Sequence, residues 1–430
     1  MKLLLENWRK LVALHEGVSP KTIEKIQTIL RKNGGESYLV GGAVRDELIP
    51  GMPASKDVDF VVRKLPLHRI LKVLRNISEP GSIKEVGESF GVITARIEGE
   101  DFDFSIPRTS ETKTGDKHTD FEVTTDPNAP LEADLGRRDF TMNALAKDSN
   151  GQIIDLFGGQ DDINNKLIRA VGENPSDRFV EDPLRMLRAI QFATRFGFTI
   201  EPVTAKAIRD NVGLITPEAI AGERILEEFQ KAWTRGAANS DYLVQLLEST
   251  GIGKHVFGQD FDPRPVTITG DNARKALGSA MAFFLHGGDY TRMSPSNLMA
   301  EHIELARASI TGLEVFQYGS APTGSTNEDK HREKLRLLSE VLAQLKVPVY
   351  VSEAEKIKRV LDAGLPLNKK KLALAGGSVT RIVMQITKDA RLIGKAQDYL
   401  LQTVHDLGED LNREQLVDIL NDALKTGKIK

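Results

Sequence analysis

The 430 residues contain no cysteine. That excludes disulfides, thiolate metal sites and a cysteine nucleophile. No run is apolar enough to span a bilayer. Strong charge of either sign is also missing: the net charge is −3 and the pI about 6.3. The chain as a whole is therefore not a basic nucleic-acid binder, and any nucleic-acid surface has to be a local patch. There is no internal repeat. No paired histidines mark a metal phosphohydrolase; His405-Asp406 stands alone and reads as a helix surface pair.

What is present fits a soluble globular protein, with 40% hydrophobic and 28% charged residues. The length exceeds one ordinary core, so more than one domain is expected. The opening "MKLLLENWRKLVALHEG" mixes acids and bases into an apolar pattern and reads as an amphipathic helix, not a signal peptide. Residues 36 to 150 carry short β-rich runs broken by Gly, Pro and charge, with one helix pattern, "LHRILKVLRNI". From about 160 the pattern is helical. Residues 319–331, "GSAPTGSTNEDKH", form a polar break suited to a linker.

The chemistry concentrates in "YLVGGAVRDELIPGMPASKDVDFVV", residues 38–62. In a strand, residues two apart share a face, so Asp57 and Asp59 stand together. Two such carboxylates repel unless a cation joins them, and hard oxygen ligands suit Mg²⁺. Alone, the pair also fits an edge strand with solvated acids. Gly41-Gly42, closing the preceding apolar run, would let backbone N–H groups approach a phosphate. Asp103, in "DFDFSIPR", offers a third carboxylate on a later strand, with Asp101 as its alternate neighbour. Three carboxylates around two metal ions suit in-line phosphoryl transfer.

Four segments in order resemble the class II tRNA nucleotidyltransferases, or CCA-adding enzymes, and the bacterial poly(A) polymerases of the same superfamily. They are "GGAVRDELIPG…KDVDF", "RRDFTMNALA", "DLFGGQDDINNKLIRAVG" and "RFVEDPLRMLRAIQFATRFGF", the last followed by "GERILEEFQKA". They span residues 38–232, and the resemblance fades after Trp233. It implies an α+β fold: a polymerase-beta-like nucleotidyltransferase head with a mixed sheet, followed by helical neck, body and tail. The expected divisions are a helical extension (1–34), the head (35–150), a neck with the base-reading helix (151–215), a body (216–330) and a tRNA-binding tail (331–430).

The resemblance assigns roles. Asp57 and Asp59, with Asp103 assisting, would be the catalytic metal ligands; Asp103 stands where the family usually has Glu. Gly41, Gly42, Arg45 and Arg188 would hold triphosphate. Arg138 and Asp139 would hold the ribose 2′-hydroxyl, with Asn143 on the same face if a helix starts there. Asp182 and Arg185, three apart on a helix, would read the base. An acceptor beside a fork of donors fits the amine-bearing edges of C and A, and sets a carboxylate against the keto oxygen of U and G. Glu181 would orient Arg185. Gly158-Gly159 is either a hinge or a helix start with an acidic first turn. Residues 109–134 match a flexible loop of the CCA-adding enzymes. Gln191 stands where the family often has Arg.

From His331 to Lys371 there are ten Lys/Arg against five Asp/Glu, an excess suited to phosphate contacts. The expected activity is template-independent CCA addition to tRNA from CTP and ATP, in the cytoplasm. Poly(A) synthesis, CC-only or A-only addition, and a catalytically silent RNA-binding protein on the same fold are the alternatives.

Overall fold

The computed structural model describes residues 18–53, 55, 57–86, 91–113, 121–235, 240–263, 288–294, 300, 303, 328–344 and 348–429. Expectations for the opening segment, most of the 319–331 break and much of the 264–327 stretch lie outside these. The chain divides into two units, residues 1–232 with 246–256, and residues 233–245 with 257–430.

The first unit opens with α1 (Pro20–Lys32), which has Pro at its first position and buries Ile26 and Leu30. Proline suits that place because its fixed φ is already helical and its missing N–H has no partner to lose. Seven strands then form one mixed sheet in the order β3-β4-β5-β2-β1-β8-β9. They are β1 (Glu36–Val40), β2 (Val58–Arg63), β3 (Lys84–Val86), β4 (Val92–Ile97), β5 (Glu100–Ser105), β8 (Leu145–Lys147) and β9 (Ile153–Asp155). Only β2 and β5 pair in parallel; the other neighbours are antiparallel. The sheet is thus mixed, as the resemblance implies.

Alternation along β2 and β5 sorts the two faces. Phe60, Phe102 and Phe104 are fully buried on one side, and the Phe60 and Phe104 rings stack at 5.1 Å. The other side carries the acids at one end. Farther along β2, Val61 joins Val40, Leu131, Leu135, Ala144, Ala146 and Val171 in a core cluster. Helix α1 packs on β1, α2 (Gly42–Leu48) contacts β1, β2 and β8, and the same part of the chain also holds α3 (Leu67–Leu74) and α4 (Leu131–Gly136).

Residues 109–134 are not wholly loop. An antiparallel ribbon, β6 (Arg108–Lys113) with β7 (Phe121–Thr125), runs into α4. Gly158 caps α5 (Gly159–Asn164), whose first turn holds Asp161 and Asp162, so the helix-start alternative describes the Gly-Gly pair. Carboxylates there oppose the helix dipole favourably. Next come β10 (Leu167–Ile168), α6 (Pro175–Glu181), α7 (Leu184–Phe196) and β11 (Thr199–Ile200), with β10 and β11 parallel. After them stand α8 (Pro202–Asn211), α9 (Gly222–Arg235), α10 (Ser240–Thr250) and α11 (Ile252–Phe257).

The second unit contains α12 (Glu328–Gln344), α13 (Pro348–Asp362), α14 (Gly376–Ile386), α15 (Leu392–Leu407) and α16 (Arg413–Lys425). The start of α16 was written in "NREQ": Asn412 accepts from the Glu414 and Gln415 N–H groups, while Gln415 reaches back to Asn412. This reciprocal box satisfies otherwise orphaned donors. Two sequence expectations change here. His405 is not a surface residue; it is buried in α15 with Nε2 2.7 Å from the Pro366 carbonyl, and burial pushes its pKa down. The basic stretch is partly consumed within the unit. Lys356 pairs with Asp406, Lys369 with Asp398, and both Lys371 and Arg332 with Glu328, while Lys334 is buried. Arg336, Lys358, Arg359 and Lys370 remain exposed. No described helix is long and apolar enough to cross a membrane.

Candidate active site

The parallel register of β2 and β5 sets Asp59 directly beside Asp103. Asp57 lies just before β2 and is exposed, as is Asp59. Asp103 is half-buried, and its Oδ1 accepts a 2.6 Å hydrogen bond from the Thr94 hydroxyl on β4. Asp101 is exposed opposite Arg96. The Asp59 carboxyl reaches solvent, yet its base is crowded by the sheet. That crowding, opposed by Arg138 and reinforced by Asp103 and Asp57, pushes it up to about 6. Crowding is the larger cause, and the like charges of Asp103 and Asp57 add to it. Among the described residues no three carboxylates or imidazoles close into a ready metal cage.

The turn after β1 faces Arg138. Gly41 has φ +68°, and its N–H donates to the Leu145 carbonyl at 3.2 Å. A Cβ here would lie 2.7 Å from an Arg138 guanidinium nitrogen. Glycine thus serves both the left-handed backbone and the close approach. Arg138 donates to Asp134 at 3.1 Å and to the Asn143 carbonyl at 3.3 Å. Asp134, fully buried in α4, also takes Arg137. Burial disfavours its charge, but the two guanidiniums prevail and hold its carboxyl below the usual range.

Asp139 is the hub of a buried network. Its Oδ1 accepts from the Phe140 N–H at 2.8 Å and the Asn143 amide at 2.9 Å; its Oδ2 meets Arg188 at 2.7–2.8 Å. Burial opposes ionisation, but Arg188, Asn143 and Phe140 outweigh it and hold the carboxyl low. Asn143 does meet Asp139 as expected, although through a single 3₁₀ turn (Thr141–Asn143) and not an α-helix. Arg45 departs from an open phosphate grip. It is buried, donates to Asp46 at 2.8 Å and to Asn143 Oδ1 at 2.6 Å, and lies over the Phe192 and Phe196 rings. Arg188 covers the other side of this network, 5.1 Å from the Phe192 ring centroid.

The segment expected to read the base also differs in detail. Asp182 is not on the helix with Arg185; it links α6 to α7 in an extended conformation and accepts from the Leu184 N–H at 3.0 Å. The residue before a proline avoids helical geometry, and Pro183 follows it. Arg185 is held by Glu181 at 2.8 Å, and by the backbone carbonyls of Arg178 and Arg137. The Glu181–Arg185 contact is the one the sequence suggested. Asp182 is also 3.7 Å from Arg224 of α9, a residue of the "GERILEEF" motif to which sequence reasoning gave no role. Asp46 and Asp134 were likewise missed. Gln191 is buried and lines a small cavity with Glu228, Phe229 and Leu187.

An acid-bearing mixed sheet and a Gly-Gly turn beside an arginine, with an extended Asp-Pro link leading into the helix that carries Arg185, form the arrangement expected of a nucleotidyltransferase head and neck. Residues 37–169 match the family model described as the poly A polymerase head domain. Residues 197–262 match one described as a probable RNA and SrmB-binding site of polymerase A. Over these two segments the chain is similar to the poly(A) polymerase and CCA-adding enzyme family. It is 39% identical over 229 residues to a CCA-adding enzyme of Lactobacillus johnsonii, 53% of each chain. It is 37% identical over 223 residues to a multifunctional CCA protein of Acinetobacter baumannii, 51% of this chain and 50% of that one. The matched part spans about half the length of these curated relatives. The solved CCA-adding enzyme of Bacillus stearothermophilus in complex with CTP superposes with a TM-score of 0.60 at 26% identity, over 96% of this chain and 99% of that one. That of Thermotoga maritima, complexed with tRNA, shares the fold with a TM-score of 0.57 at 22% identity, over 95% and 97%.

Proposed function

We propose that the chain adds C, C and A to the 3′ end of tRNA without a nucleic-acid template, using CTP and ATP, in the cytoplasm. The tRNA 3′-hydroxyl attacks the α-phosphate, the bond to the β-phosphate oxygen breaks, pyrophosphate leaves and the hydroxyl proton is released. The observation that carries the reading is the placement of Asp59 beside Asp103, with Asp57 adjoining, on the sheet face near Arg138. The named relatives supply the substrate class.

Asp57 and Asp59 would hold Mg²⁺, with Asp103 assisting from its Thr94 hydrogen bond. The donor set fits a hard divalent ion, being carboxylate oxygen with no thiolate or imidazole. Such an ion supplies charge neutralisation at the reacting phosphate and the departing pyrophosphate. Gly41 and Gly42 shape the turn against which triphosphate rests. Arg138 and Asp139 bind ribose. Arg188 holds Asp139, and its partly exposed guanidinium is available to the triphosphate. Arg185, with its fork fixed by Glu181, and Asp182 read the base. Residues 35–150 serve as the head and 151–215 as the neck, and the remaining helices dock the tRNA by shape.

The base-reading role has its own test. Arg185→Lys keeps the charge and loses the planar fork. The variant should use UTP more readily relative to CTP, by about tenfold or more. Competition assays with paired nucleotides measure the ratio. Equal loss for all nucleotides would refute this role for Arg185.

A poly(A) polymerase is the second reading, favoured by the family model that matches the head. The two share these motifs, so product ends separate them.

A further inference from the structure

The Asn143 amide is set by Arg45, assigned to triphosphate from sequence, and Arg45 in turn by Asp46, which had no role there. Arg45 Nη1 donates to Asn143 Oδ1 at 2.6 Å. Arg45 Nε and Nη2 are held by Asp46 Oδ1 at 2.8 and 2.6 Å. Asp46 Oδ2 lies 3.5 Å from Arg195 of α7. All three members, Arg45, Asp46 and Asn143, are buried. The guanidinium is further fixed over the Phe192 and Phe196 rings of α7, 5.2 and 5.0 Å from their centroids.

A guanidinium has only donors, so it can face only the oxygen end of an amide. With Oδ1 turned to Arg45, the Asn143 NH₂ is left for Asp139, which it reaches at 2.9 Å. Reversing the amide would aim Oδ1 at the Asp139 carboxylate and an NH₂ at the guanidinium, two repulsive contacts in place of two attractive ones. The orientation of Asn143, and with it the pose of Asp139, is thus decided by a cation whose own position is decided by Asp46.

We propose that Asp46 is a positioning residue for sugar selection. Through Arg45 and Asn143 it holds Asp139 in the pose that accepts a ribose 2′-hydroxyl. This rests on the reading of Asp139 as a ribose ligand. It also explains the burial of Arg45, whose donors are committed to Asp46 and Asn143. Base selection runs through Arg185 and Asp182, whose hydrogen bonds go to Glu181, backbone carbonyls and the Leu184 N–H. The two selections are therefore separable by mutation.

The test is a titration of CTP, dCTP and UTP by calorimetry against the full chain and two variants. Asp46→Asn keeps the shape and removes the charge. Arg45→Met combined with Asp46→Leu removes the pair together, which avoids leaving one buried charge without its partner. Both should lose about tenfold of the preference for CTP over dCTP, with the preference for CTP over UTP retained and the melting transition still cooperative. The double variant is decisive if Asp46→Asn does not fold. A general structural defect would lower both preferences together and would overturn the proposal, as would an unchanged ratio of CTP to dCTP in a folded variant. If the unaltered chain itself shows no preference for CTP over dCTP, the ribose reading of Asp139 fails first, and this proposal with it.

Discussion

Asp59→Asn should abolish nucleotide transfer, lowering the rate by about 10³-fold or more, while the protein stays folded. The carboxyl is exposed and makes no hydrogen bond that supports the sheet; its strand is held by Phe60, Val61 and Val62, all buried. The loss therefore falls on charge at the reacting centre and not on packing. Single-turnover extension of a radiolabelled tRNA measures it, with thermal melting as the control. The same carboxyl has a pH signature. In cation-free protein it should titrate at about 6, above its ordinary value, because sheet crowding and the neighbouring Asp103 and Asp57 penalise its charge. Below that pH protonated Asp59 competes with the cation, so Mg²⁺ affinity falls as pH drops through 6 and plateaus above it. An NMR titration of the carboxyl, with and without Mg²⁺, reads both. An unshifted titration would remove the electrostatic argument for a cation here.

Gly159→Ala should destabilise the first unit by about 2–4 kcal/mol, and lower its melting temperature by several degrees. An added Cβ would sit 2.3 Å from the Thr141 carbonyl oxygen and 2.8 Å from its carbon, both backbone, and 3.0 Å from Leu145. Neither backbone atom can rotate away. Thr141 opens the 3₁₀ turn that carries Asn143, and its hydroxyl also donates to Asp162 of α5 at 2.6 Å. Displacing this turn should weaken CTP binding as well as stability. Gly213→Ala is the matched control, since nothing lies within 4 Å of the Cβ it would add. Calorimetric melting of the two proteins decides the point; equal melting temperatures would show that α5 shifts at little cost.

How far the site was legible depended on the range of the interactions involved. Period-two alternation put Asp57 with Asp59, and Asp101 with Asp103, on shared faces, because that geometry is local to each strand. Their meeting across strands depends on the parallel pairing of β2 with β5, a long-range choice no local pattern encodes. Arg45 follows a Gly-Gly turn, so a phosphate grip was the natural expectation. Its inward course is set by Phe192 and Phe196, some 150 residues later in the chain. Asp182 is a different case: Pro183 was a visible signal against a helical residue before it. His405 was legible only as a residue on a helix, since its buried partner is a carbonyl 39 residues away. The positive excess at 331–371 is a property of composition, and ion pairs to Glu328, Asp398 and Asp406, set by the fold, take up part of it.

The central claim is that this acidic sheet face, with its Asp/Arg base reader, completes tRNA ends. One tRNA transcript lacking its 3′ CCA, incubated with the protein, Mg²⁺ and all four nucleoside triphosphates, tests it directly when the product ends are sequenced. Products should stop at CCA, with no incorporation of U or G. Long A tails, or no extension at all by folded protein, would contradict it.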